Sequence, residues 1–255
     1  MAKAEWGAEP EFFGPRHAFR EGRILEAIQD LDVPAGPHLE CAAGVGSLSV
    51  ALAARGRVVV AADLSMRSLA IIRRKLPPAV PVFPVVCDIT NLPFPEGCFS
   101  TATSAETLEH IPDDAAAVTE LGRVLAPGGG LVGTVPADPK QFSDWDVWAD
   151  HQRRYTAKGM EELLAASGLQ PTVITWGWPV LRLYDDLFLK RVNRRRLKAA
   201  SIDDDSSLKR VSSLGRKAFL VKIVKAAFNI DRLFDNVSWG VGLLFVGRKN
   251  SKSHQ

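Results

Sequence analysis

Three acidic residues of this chain stand in or at the ends of short apolar runs, where their carboxylates could hold a small ligand. Glu40 lies in HLECA, Asp63 ends RVVVAAD, and Asp88 ends VPVFPVVCD. A carboxylate only accepts hydrogen bonds, so it suits paired hydroxyls or an amino group. Asp63, 17 residues after Gly46, is placed to accept from both hydroxyls of a ribose. The alternative is a strand-end aspartate that caps the next helix.

Small residues follow the first of these acids, in the sequence LECAAGVG. Gly44 and Gly46 would let the backbone approach a ligand closely at the start of a helix near Ser47. Dinucleotide-binding proteins use a similar glycine-rich turn, and small residues also serve plain packing of a helix on a strand. The motif alone leaves these possibilities open.

The third acid, Asp88, distinguishes a site for a nicotinamide dinucleotide from a site for another adenosine-containing ligand. Asp88 can accept a hydrogen bond from an adenine amino group, and the backbone amide of Ile89 can donate to a ring nitrogen. Leu64 and Ile89 would then enclose the ring. This arrangement favours an adenosine-containing ligand other than a nicotinamide dinucleotide.

Histidines supply the candidates for proton transfer. His110, in Leu-Glu-His, could act as a general base because imidazole titrates near neutral pH. His17 is a second candidate, and His38 is more simply the first residue of a strand. The alternative for His110 is a structural ring bonded to backbone.

A second cluster, DHQRRY, follows an aromatic loop. His151 and Tyr155 in this cluster could bind or deprotonate a substrate, while Trp145 and Trp148 could form an apolar wall. The alternative is a loop-to-helix junction whose charged residues lie in solvent.

The three cysteines, Cys41, Cys87 and Cys98, form no CxxC pair and no zinc spacing. We therefore predict no metal site, and buried reduced thiols in a cytoplasmic protein. The N-terminal residues carry no signal-peptide pattern, and no apolar run approaches the roughly 20 residues that span a bilayer.

Five apolar runs between residues 37 and 135 alternate with amphipathic stretches, which predicts an α/β fold with a doubly wound, largely parallel sheet. We divide the chain into a helical N-terminal cap (1–36), a core (37–180 with 236–249), a helical insertion (181–235) and a disordered tail (250–255). Helices are expected from Phe12 to Leu31 and from Gly215 to Phe234.

The net charge is +3, but residues 190–225 contain twelve Lys or Arg against three Asp. Four interpretations of this basic insertion stay open: a solvated lid, attraction of an anionic substrate, contact with an acidic membrane surface, or RNA. No recognisable RNA-binding module is present, so we predict no nucleic-acid partner. If the insertion is a lid, deleting residues 190–235 should spare cofactor binding and abolish turnover.

The segments LECAAGVG, AADLS, CDITNLPFPEGCFSTATSAETLEHIPD and ELGRVLAPGGGLVGTVP resemble the successive motifs of class I S-adenosylmethionine-dependent methyltransferases. The similarity is to the broad branch of ubiquinone, menaquinone and natural-product enzymes, and covers about residues 37–178. The resemblance implies a Rossmann-like sheet of seven strands in the order 3-2-1-4-5-7-6, with the last strand antiparallel. It also implies methyl transfer to a small-molecule or lipid-like acceptor, with oxygen or carbon favoured over nitrogen.

Carried over residue by residue, the resemblance assigns S-adenosyl-L-methionine to a set of side chains and backbone groups. Asp63 would hold the ribose, Asp88 and Ile89 the adenine, and backbone near Ala42 and Ser104 the methionine part. Two positions depart from the family: Glu40 replaces the usual Asp, and Ala42 the usual glycine.

Alanine fits position 42 without strain only if its φ is negative. The other functions left open are a nicotinamide-dependent oxidoreductase of similar fold and a cofactor-binding relative without activity.

Overall fold

The computed structural model describes residues 14–199, 218–235 and 237–251. Seven strands form one sheet in the predicted order β3-β2-β1-β4-β5-β7-β6. The strands are β1 His38–Cys41, β2 Val59–Asp63, β3 Val82–Val86, β4 Phe99–Ala105, β5 Leu125–Pro136, β6 Leu169–Trp176 and β7 Gly242–Lys249. The predicted fold class is confirmed.

Strands β1 to β5 run parallel, and β7 lies antiparallel between β5 and β6. All of β1 and nearly all of β4 are buried, which accounts for their continuous apolar sequences. The carboxyl ends of the parallel strands meet at one edge of the sheet. Because the strand order reverses between β1 and β4, a crevice is expected there.

The helices lie on both faces of the sheet. They are α1 Pro15–Gln29, α2 Ser47–Ala53, α3 Met66–Lys75, α4 Asp114–Val124, α5 Asp144–Trp148, α6 Ala157–Ala166, α7 Val180–Tyr184, α8 Lys190–Ala199 and α9 Ala218–Phe228. Short 3-10 turns cover Leu108–His110, Pro139–Gln141 and Asn229–Phe234, and a π-helical turn, Asp185–Leu189, joins α7 to α8.

Polar side chains cap the first turns of three of these helices. Ser65, Asp113 and Thr156 each accept a hydrogen bond from the backbone amide three residues later. Such caps satisfy amides that have no partner within the helix. The helices α3, α4 and α6 therefore begin immediately after the capping residues.

The two faces of the sheet carry separate hydrophobic clusters. Along β5, Leu131 and Val135 point into one cluster and Val132 into the other, as strand geometry requires. The second cluster includes Phe19 of α1, whose ring lies 5.6 Å from that of Phe228 in α9. Helix α1 and the insertion therefore share one core.

The stretch Pro-Gly-Gly-Gly at residues 127–130 is a typical stop signal after a helix. Helix α4 ends at Val124, as that signal predicts, but β5 already begins at Leu125 and contains the glycines. A Cβ atom on Gly129 would lie 2.8 Å from the Ala126 carbonyl oxygen and 2.9 Å from that of Ser100. The missing side chain lets this part of the strand sit against its neighbours, with a register shift near Phe99.

The helical periodicity of residues 215–234 predicts one apolar face of Leu220, Ile223, Val224, Ala227 and Phe234, and this prediction is partly wrong. Ile223 and Ala227 are exposed, whereas Val224 and Phe228 contact the core. The helix turns this neighbouring face inward because Phe228 packs against α1. The polar segment SIDDDSSLKR at 201–210, whose composition predicts a solvated loop, lies outside the described residues. Residues 1–13 and most of the predicted tail, with His254, lie outside them as well.

A buried ion pair also ties the cap to the insertion. Both guanidinium nitrogens of Arg23 donate to Asp235, at 3.0 and 2.7 Å. Deleting residues 190–235 would remove both Asp235 and Phe228 and unpack α1. Such a deletion would therefore damage the fold, and it does not test the lid hypothesis cleanly. Within the described residues, no helix is long and apolar enough to cross a bilayer.

Candidate functional site

A cavity of about 1190 Å³ opens at the carboxyl edge of the sheet. The loops after β1, β2, β3 and β4 form one side, and α1, the loop around α5 and the α7–α8 helix close the other. Small-molecule sites commonly occupy this position in doubly wound sheets. The cavity brings together most of the residues that the sequence singled out.

The loop after β1 bends sharply at the cavity. Ala42, Gly44 and Gly46 all have positive φ, at 55°, 53° and 81°. The condition for an unstrained alanine at position 42, a negative φ, is therefore not met: its backbone follows the left-handed bend, and an L-residue there costs roughly 1–2 kcal/mol. Ala42 and Gly44 line the cavity.

Gly46 does not line the cavity. It precedes the first residue of α2, and a Cβ atom there would lie 2.8 Å from a side-chain carbon of Ile72 in α3. Its missing side chain serves packing of α2 on α3. Gly46 therefore supports the loop without facing a ligand, contrary to its predicted place among the binding residues.

Asp63, at the end of β2, is positioned by two backbone amides. Its Oδ2 accepts from Gly44 N at 2.8 Å and its Oδ1 from Ser65 N at 2.7 Å. Each carboxylate oxygen has a further lone pair, so both can accept hydroxyl protons as well. The bond to Gly44 joins the two loops that a nucleoside would touch.

Apolar side chains and one acid flank Asp63. Leu64 lines the cavity yet is 73% exposed, and Ile89 lines it at 8% exposure. Asp88 also lines the cavity, and its Oδ1 accepts from the backbone amide and hydroxyl of Thr90, both at 2.8 Å. A flat ring bound here would cover the bare surface of Leu64.

Glu40 is buried in the wall of the cavity. Its Oε2 accepts a hydrogen bond from the Ser49 hydroxyl of α2. Burial raises the pKa of the Glu40 carboxyl to about 8. The group is therefore largely protonated at neutral pH.

We predict that Glu40 makes the stability of the fold depend on pH. The raised pKa means that the folded chain binds this proton more tightly than the unfolded chain, whose value lies near 4.5. The free energy of unfolding should therefore fall as pH rises from about 4.5 to 8, by a few kcal/mol at about 1.4 kcal/mol per pKa unit. Glu40→Gln should flatten this dependence in urea unfolding. Glu162→Gln, on the exposed side of α6, is the control, and parallel curves for Glu40→Gln and wild type would contradict us.

Two acids follow β4 inside the cavity. Glu106 has a positive φ of 51°, and its carboxylate lies 3.4 Å from Arg20 of α1. Burial opposes its ionisation, but Arg20 and then Arg16 hold the pKa of Glu106 below its usual range. Glu109 is fully buried, and neither carboxyl oxygen has a hydrogen-bond partner among the described residues. Burial, and then the Glu106 charge, raises the pKa of Glu109.

His110 and His151 meet beside Glu109. Their ring centroids are 4.7 Å apart and the rings are nearly perpendicular. Burial, and then the neighbouring His151, lowers the pKa of His110. The ligand atoms of Glu109, His110 and His151 all lie within 4.8 Å of one another. One carboxylate and two imidazoles are a ligand set that divalent metal ions bind. The sequence patterns did not indicate this combination of residues.

Asp146 organises the second histidine. Its Oδ1 accepts from His151 Nδ1 at 2.8 Å, and Arg154 donates to both carboxylate oxygens at 2.8 and 2.9 Å. Burial disfavours the charge, but these two partners hold the pKa of Asp146 well below its usual range. Ser143 adds a capping box at the start of α5. Sequence reasoning missed Asp146, although the spacing Ser-x-x-Asp was a readable helix-start signal.

The aromatic loop lies where the sequence suggested. Trp145 and Trp148 line the cavity, with ring centroids 4.7 Å apart. His17 of α1 also lines it, with Nε2 3.4 Å from the Ser47 hydroxyl. His38 is buried away from the cavity, and each ring nitrogen lies within hydrogen-bond distance of a threonine hydroxyl of β4.

Two further predicted site residues, besides Gly46, do not line the cavity. The Tyr155 hydroxyl lies 2.7 Å from Asp114 Oδ2 and 3.0 Å from the Leu108 carbonyl oxygen. Burial, and then Asp114, raises the pKa of Tyr155, so it is a structural anchor and no proton acceptor. Ser104 is fully buried within β4, and Ala105 and Glu106, the next residues, line the cavity in its place.

A family model for a methyltransferase domain matches residues 39–133. A demethylmenaquinone methyltransferase of Mycolicibacterium gilvum (strain PYR-GCK) is 30% identical over 172 residues, which are 67% of this chain and 70% of that protein. A ubiquinone biosynthesis O-methyltransferase of Hahella chejuensis (strain KCTC 2396) is 31% identical over 165 residues, which are 64% and 69%.

Solved structures agree on the fold. Geranyl diphosphate C-methyltransferase of Streptomyces coelicolor A3(2), in complex with S-adenosyl-L-homocysteine, matches with a TM-score of 0.62 at 16% identity. The match covers 91% of this chain and 76% of that one. Sequence kinship over two thirds of the chain, together with the strand order and the cavity, shows that the chain belongs to the class I S-adenosylmethionine-dependent methyltransferases.

Proposed function

We propose that the protein methylates a hydroxyl oxygen of an aromatic, quinone-type or lipid-like acceptor. The relatives named above support the acceptor class, since one is a demethylmenaquinone methyltransferase and the other a ubiquinone biosynthesis O-methyltransferase. The observation that carries the choice of oxygen is the Asp146–His151 pair in the cavity wall. Methylation of a hydroxyl releases a proton, and this pair is built to take one.

The residues at the ends of β1, β2 and β3 fit the cofactor. When bound, S-adenosylmethionine supplies an electrophilic methyl group, whose bond to sulfur breaks as its bond to the acceptor forms. Asp63 would hold the ribose hydroxyls with its free lone pairs, and the exposed surface of Leu64 would lie under the adenine. The residues assigned to this half of the cavity are Glu40, Ala42, Gly44, Asp63, Leu64, Asp88 and Ile89.

The proton of the acceptor hydroxyl would pass to His151. Because Asp146 Oδ1 accepts from Nδ1, the Nε2 atom is left as the basic nitrogen. Asp146 fixes this tautomer and ring orientation and is a positioning residue. His110, whose Nδ1 lies 3.3 Å from the Asp150 carbonyl oxygen, stands next to the base and is the alternative proton acceptor.

The acceptor half of the cavity would be closed by the aromatic loop and the insertion. Trp145 and Trp148 offer flat apolar surface to an aromatic ring, and Leu189 of the π-helical turn adds an apolar contact. Arg182 and Lys190 also line this side. The insertion would thus act as the lid that its basic sequence suggested, and a cytoplasmic location stays a prediction.

The test is product analysis with S-adenosylmethionine that carries a deuterated methyl group. The purified protein is incubated with a catechol, a prenylated hydroquinone and a naphthoquinol, and mass spectrometry locates the label. We expect a methyl ether. Label on a ring carbon would overturn the choice of oxygen, and binding of S-adenosylhomocysteine without transfer to any of the three would overturn the acceptor class.

A further inference from the structure

The helix that closes the cavity presents a second, outward side. Helix α7, the π-helical turn and α8 run continuously from Val180 to Ala199. Asp185 and Leu189 line the cavity, whereas Leu183 and Phe188 do not line it and are 58% and 57% exposed. This helix therefore separates the acceptor half of the cavity from the outside.

Exposed apolar side chains are concentrated on the insertion. Of the sixteen large hydrophobic residues exposed among the described ones, seven lie on the insertion: Leu183, Leu187, Phe188, Ile223, Ile230, Leu233 and Phe234. Single exposed apolar side chains are normal on protein surfaces, but many such side chains on one segment indicate an interaction surface. The insertion accounts for a small part of the chain, so this distribution is uneven.

The buried Asp231 joins the 3-10 turn Asn229–Phe234, which carries three of these exposed residues, to the start of α7. Asp231 accepts hydrogen bonds from the backbone amides of Val180 and Leu181, which fixes the 3-10 turn Asn229–Phe234 against α7. Leu233 of that turn is 84% exposed. The apolar residues of the helix and of the turn are thus held in one rigid unit.

Cations follow the apolar residues along the same helix. The α8 sequence KRVNRRRLKA contains six Lys or Arg and no acid. Arg191 and Arg194 are exposed and continue the side that carries Leu187. An apolar stripe bordered by cations matches a bilayer with anionic headgroups, since side chains enter the acyl boundary while the cations meet phosphates.

We infer that this surface, made of Leu183, Leu187, Phe188, Arg191 and Arg194 and called the outer face below, docks on an anionic lipid bilayer. Docking places the lid helix at the membrane and the acceptor half of the cavity directly behind it. A lipid-like acceptor then reaches the cavity without crossing bulk water. The inference concerns the surface and does not depend on which acceptor atom is methylated.

Sedimentation with sucrose-loaded vesicles tests the outer face. The full-length protein should bind vesicles of phosphatidylcholine with phosphatidylglycerol, bind phosphatidylcholine alone more weakly, and dissociate with added salt. Leu187→Ser with Phe188→Ser should lower the partition coefficient about tenfold. Arg191→Glu with Arg194→Glu should lower it by tenfold or more, since each basic residue near the surface contributes about fivefold.

Matched substitutions elsewhere provide the controls. Phe83→Ser removes a similarly exposed aromatic ring from β3, and Arg67→Glu with Arg73→Glu makes the same charge change on α3. Both should bind vesicles like the wild type, and all variants should bind S-adenosylhomocysteine equally. Absence of wild-type binding to either vesicle, equal loss in the control variants, or binding to RNA or a protein in preference to the anionic vesicles would overturn the inference.

Discussion

Replacing Asp63 with alanine is expected to raise the dissociation constant for S-adenosylhomocysteine by at least about a hundredfold. Hydrogen bonds to a charged group contribute roughly 1.5–3 kcal/mol each, and two ribose hydroxyls would be lost together. Asp63 also holds the amides of Gly44 and Ser65, so the loops that form the site would lose their link. Isothermal titration calorimetry measures the change.

The control for Asp63→Ala is Asp32→Ala, which removes an exposed aspartate outside the cavity. Circular dichroism and thermal melting show whether each variant is folded. Asp63→Asn, which keeps the shape and one acceptor oxygen, covers the case in which alanine unfolds the loop. A folded Asp63→Ala protein with an unchanged dissociation constant would refute the assignment of the ribose to this carboxylate.

The second large effect is expected at His151. Substituting glutamine should lower kcat for a hydroxyl acceptor by about 10²–10⁴, the usual contribution of a general base. The acidic limb of the pH–rate profile should disappear with it, a change that a purely structural role would not produce. Binding of S-adenosylhomocysteine should stay as in the wild type.

Two comparisons sharpen this prediction. Gln152→Ala, at the exposed neighbouring position, should leave kcat unchanged. A large loss in His110→Gln with little change in His151→Gln would move the base to the other ring. Activity that is abolished by EDTA and restored by Mg²⁺ would instead make Glu109, His110 and His151 a metal site, and our prediction of no metal site would be wrong.

The cofactor half of the site was readable from the sequence because its geometry is local. Each acid that ends an apolar run must lie at the carboxyl edge of a parallel sheet, so Asp63 and Asp88 could be placed by counting strands. Membership of the methyltransferase family excludes the alternative of a nicotinamide-dependent oxidoreductase. The φ of Ala42 was not readable, since alanine ordinarily avoids the left-handed region and only the close contacts of the loop impose it.

The acceptor half could be predicted only in part because its contacts join distant segments. Nothing in the sequence pairs Arg20 with Glu106, or shows that Glu109 is buried without a partner. Tyr155 looked like a reactive phenol beside His151, but its chain direction points it toward Asp114. In an irregular loop, no periodic pattern of residues in the sequence predicts where a side chain points.

The position of β7 has a consequence for biosynthesis. Leu169–Trp176 is an edge strand whose one neighbour in the sheet is Gly242–Lys249, the last strand among the described residues. While the ribosome is still adding the residues between them, the strand Leu125–Pro136 and the strand Leu169–Trp176 each expose unpaired backbone groups that invite association with other nascent chains. A chain truncated before Gly242 would keep every acid assigned to the nucleoside and still be unable to close its sheet.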